Sequence, residues 1–230
     1  MAKIKTFVLS LGVQRSGTTW LRGFLNNLPN TDMGFKKEYH YWDSNKEFVN
    51  NKEYIIYFNS LIKNDIYRTG DITPRYSLLD INKLKEAKDC IEGAGFNLKI
   101  VFTMRDPVQR VYSRAKKMST NDPEGWMRSN KDILEHRQEY KGILNNIDNV
   151  FNKENVYISL YESFFTEKNI REFCNFIDCE YRHEDLLRVP SHTTIKRPLS
   201  LDTKKYFLQE YKKTYEYCGE RFPETKLLWG

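Results

Sequence analysis

An open α/β fold with a mostly parallel sheet flanked by helices is what this sequence predicts, and three observations predict it. Short apolar runs, "TFVLSLG" at 6–12, "LKIVFTM" at 98–104 and "VYISL" at 156–160, have the length and composition of central parallel strands. Amphipathic stretches of helical period separate them. The first run also leads straight into a glycine-bearing turn and then a helix-like segment. Sheets of this kind bind ligands beyond the carboxyl ends of their strands.

Taken in order, the strand at 6–12 is followed by helix-like stretches at 17–28 and 45–63. A weaker strand, "IYRTGDI", occupies 66–72, and a helix-like stretch covers 76–91. After the strand at 98–104, Pro107 suits the first turn of a helix over 107–118, because its missing N–H would have no partner there. Further helical patterns cover 129–149 and 163–177 on either side of the strand at 156–160. The stretch "SLDTKKYFLQEYKKTYEYCGERF" reads as one long helix capped by Ser200 or Asp202. No repeat, low-complexity tract or Pro/Gly/Ser-rich linker interrupts the pattern, so residues 1–230 read as a single domain.

Composition narrows the function classes. The chain carries 37 Lys and Arg against 31 Asp and Glu, a formal charge of +6, which favours anionic ligands. A nucleic-acid binder would concentrate that charge in a stripe with interleaved aromatics, whereas here it is scattered and mixed with acids. No apolar run approaches the roughly 18 residues of a membrane span. The apolar run near the start reads as the strand feeding the glycine turn rather than as a signal peptide. Cys90, Cys174, Cys179 and Cys218 show no paired spacing, the usage of reduced thiols in a cytoplasmic protein, and no metal-ligand cluster is visible.

The turn "GVQRSGTT" has nearly the outline of a phosphate-binding loop, but Thr18 stands where a nucleotide hydrolase has its lysine. Backbone N–H groups and the helix dipole still favour an anion there, and Arg15 is the nearest cation. "QRSGTTW" resembles the 5′-phosphosulfate loop of the sulfotransferases that use 3′-phosphoadenosine 5′-phosphosulfate, commonly P-K-S-G-T-T-W. "RDPVQRVYS" resembles the same family's 3′-phosphate site, R-D-P-x-x-R-x-Y-S. The resemblance implies a P-loop-like sulfotransferase fold and a donor held by Arg15, Ser16, Gly17, Thr18, Thr19 and Trp20 at one end and by Arg105 and Ser113 at the other. "VYISLYESF" resembles the strand followed by Y-E-D, which makes Tyr161 an adenine contact or a plain core residue. "SHTTIKRPLS" resembles the family's late basic loop, placing Lys196 and Arg197 near the nucleotide, although its usual glycine is absent. The product would be adenosine 3′,5′-bisphosphate.

On the acceptor side, "KKEYHYWDS" resembles K-E-x-H-F-F-D of the heparan sulfate branch. The match makes Glu38 the base and Lys37 a neighbouring cation, with His40 the rival base. "GDITPRYS" resembles E-K-T-P-x-Y; Asp71 and Ile72 replace the first two residues, while Thr73 and Tyr76 match and Arg75 adds a cation for the acceptor. The expected reaction moves a sulfuryl group to a hydroxyl or amine of a carbohydrate or small molecule, without a metal. A small-molecule kinase is the alternative, which should show a lysine at position 18; an inactive nucleotide-binding relative is another.

Overall fold

The computed structural model describes residues 4–44, 47–131, 139–184 and 198–229. Its centre is a four-stranded sheet in the order β2-β1-β3-β4, with every pairing parallel. The strands are β1 (Thr6–Ser10), β3 (Asn97–Met104) and β4 (Val156–Leu160), where the apolar runs predict them, and β2 (Arg68–Ile72), a more polar strand within the weaker 66–72 stretch. Buried on both faces, such strands need apolar side chains pointing both ways, which is why they read as runs rather than alternations.

The chain lays β2 on one side of β1 and then crosses to put β3 on the other. The loops after β1 and β3 therefore leave neighbouring strands at the point where the winding reverses, and a crevice opens there. One sheet face carries Phe7, Leu9, Leu98, Ile100, Phe102 and Met104. It packs against helices α3 (Asn51–Leu61), α4 (Ile81–Gly93) and α7 (Tyr140–Val150) through Tyr54, Phe58, Leu84, Ile91, Tyr140 and Leu144. The other face presents Val8 and Val101 to α1 (Thr18–Asn27) and α9 (Glu167–Phe176). Fully burying each such large apolar side chain stabilises the fold by roughly 1.5–3 kcal/mol.

Local chemistry explains the helix boundaries. Asn50, Asp80, Asp106, Asp122, Thr166 and Ser200 each accept a hydrogen bond from a first-turn N–H of the helix they precede. Ser200, rather than Asp202, is thus the cap of its helix. Asp80→Ala, which removes the cap of α4, is expected to destabilise the protein by about 1 kcal/mol, measured by denaturant unfolding.

The predicted long helix at 200–222 is two: α10 (Leu201–Glu210) and α11 (Lys212–Arg221), with Tyr211 between them. The break serves two packing directions. Phe207 and Tyr211 turn into a cluster with Val108, Val111 and Tyr112 of α5 (Pro107–Met118), while Cys218 joins the main core. The 129–149 pattern yields α6 (Pro123–Ser129) before it and α7 at its end; residues 132–138 lie outside the described part. No helix among the described residues is long and apolar enough to cross a membrane.

Candidate active site

The two loops that the sequence reads as anion sites meet. Gly17 takes φ +84°, a left-handed turn that a side chain would strain, and Arg15 occupies the same region at φ +71°. These reversals bring the chain round into α1, whose first turn has no side-chain cap, unlike the six helices named above. The Thr18 and Thr19 N–H groups begin that helix, where no carbonyl of the preceding turn exists to accept them. A helix start left in this form is suited to an anion.

Arg15 ties this loop to the turn after β3. Its Nε donates to Ser113 Oγ at 3.1 Å, and its carbonyl accepts from Arg105 Nη1 at 3.0 Å. Asp106 caps α5 and Pro107 starts it, so Arg105 sits at the strand end and Ser113 two turns along the helix. The Arg105 guanidinium lies 4.3 Å from the centre of the Tyr161 ring. That ring also backs the glycine turn, since a Cβ on Gly17 would come within 3.2 Å of it. Tyr161 therefore touches both loops.

Two further arginines, which the sequence reading did not assign to the site, reinforce the cluster. Arg110 donates to the Gln14 carbonyl at 3.3 Å and Arg114 to Gln14 Oε1 at 2.6 Å. Their spacing of one helical turn in the helix opened by R-D-P was the available signal. Burial, then the charges of Arg105 and Arg114, push the Arg15 guanidinium below its ordinary range. Burial, then Arg105 and Arg15, do the same to Lys116. The hydrogen bonds described here for Arg15, Arg105 and Arg114 go to neutral oxygens, so these like charges are crowded into one crevice that an anion would relieve. Two polar atoms point the same way: Ser16 Oγ and Arg105 Nε are buried without a hydrogen-bond partner.

Trp20 lies in the first turn of α1. Its side chain is buried against Phe24, Phe164 and Phe165, because the period of α1 puts residues 20, 21, 24 and 25 on the inner face. Lys196 and Arg197 lie outside the described residues.

A second constellation lies on the loop leading to α2 (Tyr41–Ser44). Glu38 Oε2 is 3.2 Å from His40 Nε2, and the other ring nitrogen is 3.1 Å from Asp43 Oδ1. Asp43 also pairs with Arg75 at 3.1 Å, and Lys37 with the second Glu38 oxygen at 3.3 Å. Glu38 and His40 are thus one hydrogen-bonded unit rather than independent rivals. Carboxylates only accept, so a proton on Nε2 or on Glu38 must bridge that contact. Asp43 was missed, although H-x-x-D places it one turn from the imidazole.

Thr73 and Tyr76, expected in the acceptor pocket, are fully buried behind this loop. Thr73 Oγ1 accepts from the N–H of Tyr39 at 3.0 Å and donates to Asp71 at 2.7 Å. Tyr76 accepts from the N–H of Tyr41 at 3.0 Å and donates to Asp71 at 2.7 Å. They hold the loop from inside instead of lining its surface. Arg75, by contrast, keeps 56% of its side chain exposed beside Asp43.

The comparisons agree with this architecture. The profile of the sulfotransferase domain family matches residues 5–218, and the chain belongs to that family. This membership decides between the sulfuryl-transfer and phosphoryl-transfer readings of the loop. Among solved structures, a sulfotransferase from Alicyclobacillus acidocaldarius superposes with TM-score 0.68 at 16% identity, covering 96% of each chain. The sulfotransferase domain of the Synechococcus PCC 7002 olefin synthase gives 0.54 at 16%, over 89% of this chain and 94% of that one. Mouse sulfotransferase SULT7A1, solved in complex with PAP, gives 0.57 at 12%, over 99% of this chain and 89% of that one. No curated protein matches the chain at a significant level.

Proposed function

We propose that this chain transfers the sulfuryl group of 3′-phosphoadenosine 5′-phosphosulfate to a hydroxyl or amine of a carbohydrate or small-molecule acceptor. The observation that carries the reading is the single cationic cradle formed by the two loops, joined by the Arg15–Ser113 and Arg105–Arg15 hydrogen bonds. The unpartnered Ser16 Oγ and Arg105 Nε fit a phosphate-rich ligand. The mouse relative's complex with PAP supports the same class. Arg15, Ser16, Gly17, Thr18 and Thr19 would hold the 5′ end, Arg105 and Ser113 the 3′-phosphate, and Tyr161 the base.

When bound, the donor supplies a sulfuryl group on a phosphate leaving group. The chain's own residues do the rest. Arg15 and the first N–H groups of α1 stabilise charge that gathers on the departing phosphate oxygen. Glu38 takes the acceptor proton, and His40, clamped between Glu38 and Asp43, fixes the direction in which that carboxylate points. Lys37 and Arg75 flank the dyad, and a surface this rich in charged hydrogen-bonding groups suits a polyhydroxyl acceptor.

Calorimetric titration of adenosine 3′,5′-bisphosphate tests the nucleotide half. Wild type is expected to bind it, and Arg105→Ala to weaken binding by about 10–100-fold, as loss of a charged hydrogen bond implies. Ser113→Ala is expected to cost less, roughly tenfold or below. Equal affinity in all three proteins, or absence of binding to wild type, would reject the assignment.

A further inference from the structure

The turn that presents Arg105 is held from behind by three side chains. Tyr140 grips Arg105 itself, its hydroxyl donating to the carbonyl at 2.7 Å and accepting from the N–H at 3.3 Å. Glu162 Oε1 accepts the Asp106 N–H at 2.9 Å. Tyr215 donates to Asp106 Oδ1 at 3.0 Å and accepts from the Val108 N–H at 3.5 Å. These three come from α7, from the short helix α8 (Tyr161–Phe164) and from α11, well separated in sequence.

One residue touches all three. Trp229 donates its Nε1–H to the second Glu162 oxygen at 2.9 Å. Its ring centre lies 6.0 Å from that of Tyr140 and 6.2 Å from that of Tyr215, and only 6% of the residue is exposed. We propose that Trp229 is a positioning residue for the 3′-phosphate subsite, locking the Arg105–Asp106 turn in the orientation that aims the Arg105 guanidinium. The inference rests on the reading of Arg105 as the 3′-phosphate ligand.

The physical link runs through Glu162. Burial pushes its carboxyl above the ordinary range, while the Asp106 N–H and the Trp229 Nε1–H favour the charged form. Without the indole donor, Glu162 Oε2 is left in a buried site with its main partner gone. The carboxylate must then gain a proton, which weakens Oε1 as the acceptor of the Asp106 N–H, or swing towards water, which draws Oε1 away from it. Arginine recognition of a phosphate depends on fork direction, so a small rotation of the turn weakens it.

The test uses the full chain and two probes that differ only in the 3′-phosphate. Trp229→Phe and wild type are titrated with adenosine 3′,5′-bisphosphate and with adenosine 5′-phosphate, below the unfolding temperature of both proteins. The expected result is about tenfold weaker binding of the bisphosphate, with the monophosphate changed by less than about twofold. Equal losses for both nucleotides mean general destabilisation and overturn the proposal, as does no loss for either. Should Trp229→Phe fail to fold, Glu162→Gln reads the same link, because its amide sets a second donor against the indole N–H or against the Asp106 N–H; the same selective loss is expected. Arg105→Ala is run alongside. If it leaves discrimination between the two nucleotides intact, the underlying subsite reading fails; if it abolishes discrimination while Trp229→Phe and Glu162→Gln do not, only the positioning role falls.

Discussion

Glu38→Gln is expected to lower the turnover number by about 10²–10⁴-fold while leaving affinity for adenosine 3′,5′-bisphosphate within about twofold. Glutamine has the size and shape of glutamate but cannot accept the acceptor's proton. The carboxylate meets Lys37 through one oxygen and His40 through the other; the amide oxygen can still accept from Lys37 while its NH2 donates to Nε2 of a neutral His40, so the loop contacts can survive while the base is lost. The nucleotide cradle is built by other elements, the turns after β1 and β3, so binding there is separable from transfer. Turnover is measured by release of labelled sulfate to an accepted acceptor, and binding by calorimetry.

Asp43→Asn distinguishes the roles within that loop. Asp43 touches His40 and Arg75, so its effect reaches Glu38 through the imidazole. A loss of roughly tenfold in turnover, smaller than for Glu38→Gln, is the expected pattern for a group that orients. Unchanged turnover in Glu38→Gln combined with a collapse in His40→Gln would make the imidazole the base.

What could be read from the chain was what local chemistry determines. A left-handed glycine at 17, an aspartate cap at 106 and a proline at 107 act over a few residues, so the turns after β1 and β3, like the four strands, were visible before the fold. The long-range wiring was not. Thr73 and Tyr76 look like surface residues of a turn, and only the parallel pairing of β1 with β2 brings them under a loop more than thirty positions earlier. Trp20 carries two signals: the motif match puts it at the donor loop, and helical period, with Leu21, Phe24 and Leu25, turns its ring to the core.

Asp71→Asn is expected to destabilise the protein by roughly 2–4 kcal/mol at neutral pH, despite removing a buried charge. The reason lies in where the surrounding protons are pinned. Asp71 is fully buried and accepts from Thr73 on one oxygen and from Tyr76 and Tyr54 on the other. The Thr73 and Tyr76 hydroxyls in turn accept the backbone N–H groups of Tyr39 and Tyr41, so neither is free to reverse and receive an amide N–H. Asparagine would set its NH2 group against one of these donors. Burial raises the Asp71 pKa to about 6, the three hydroxyls opposing that rise. Between the usual carboxylate range and about 6 the folded state therefore holds a proton that the unfolded state has lost. Wild-type stability falls as pH rises through this window and is then level, while the variant lacks that slope. The gap between them narrows by roughly 1–3 kcal/mol from pH 4 to pH 7, read from urea unfolding at several pH values. A variant as stable as wild type at pH 7, or a gap that widens with pH, would show that Asp71 does not hold the loop as described.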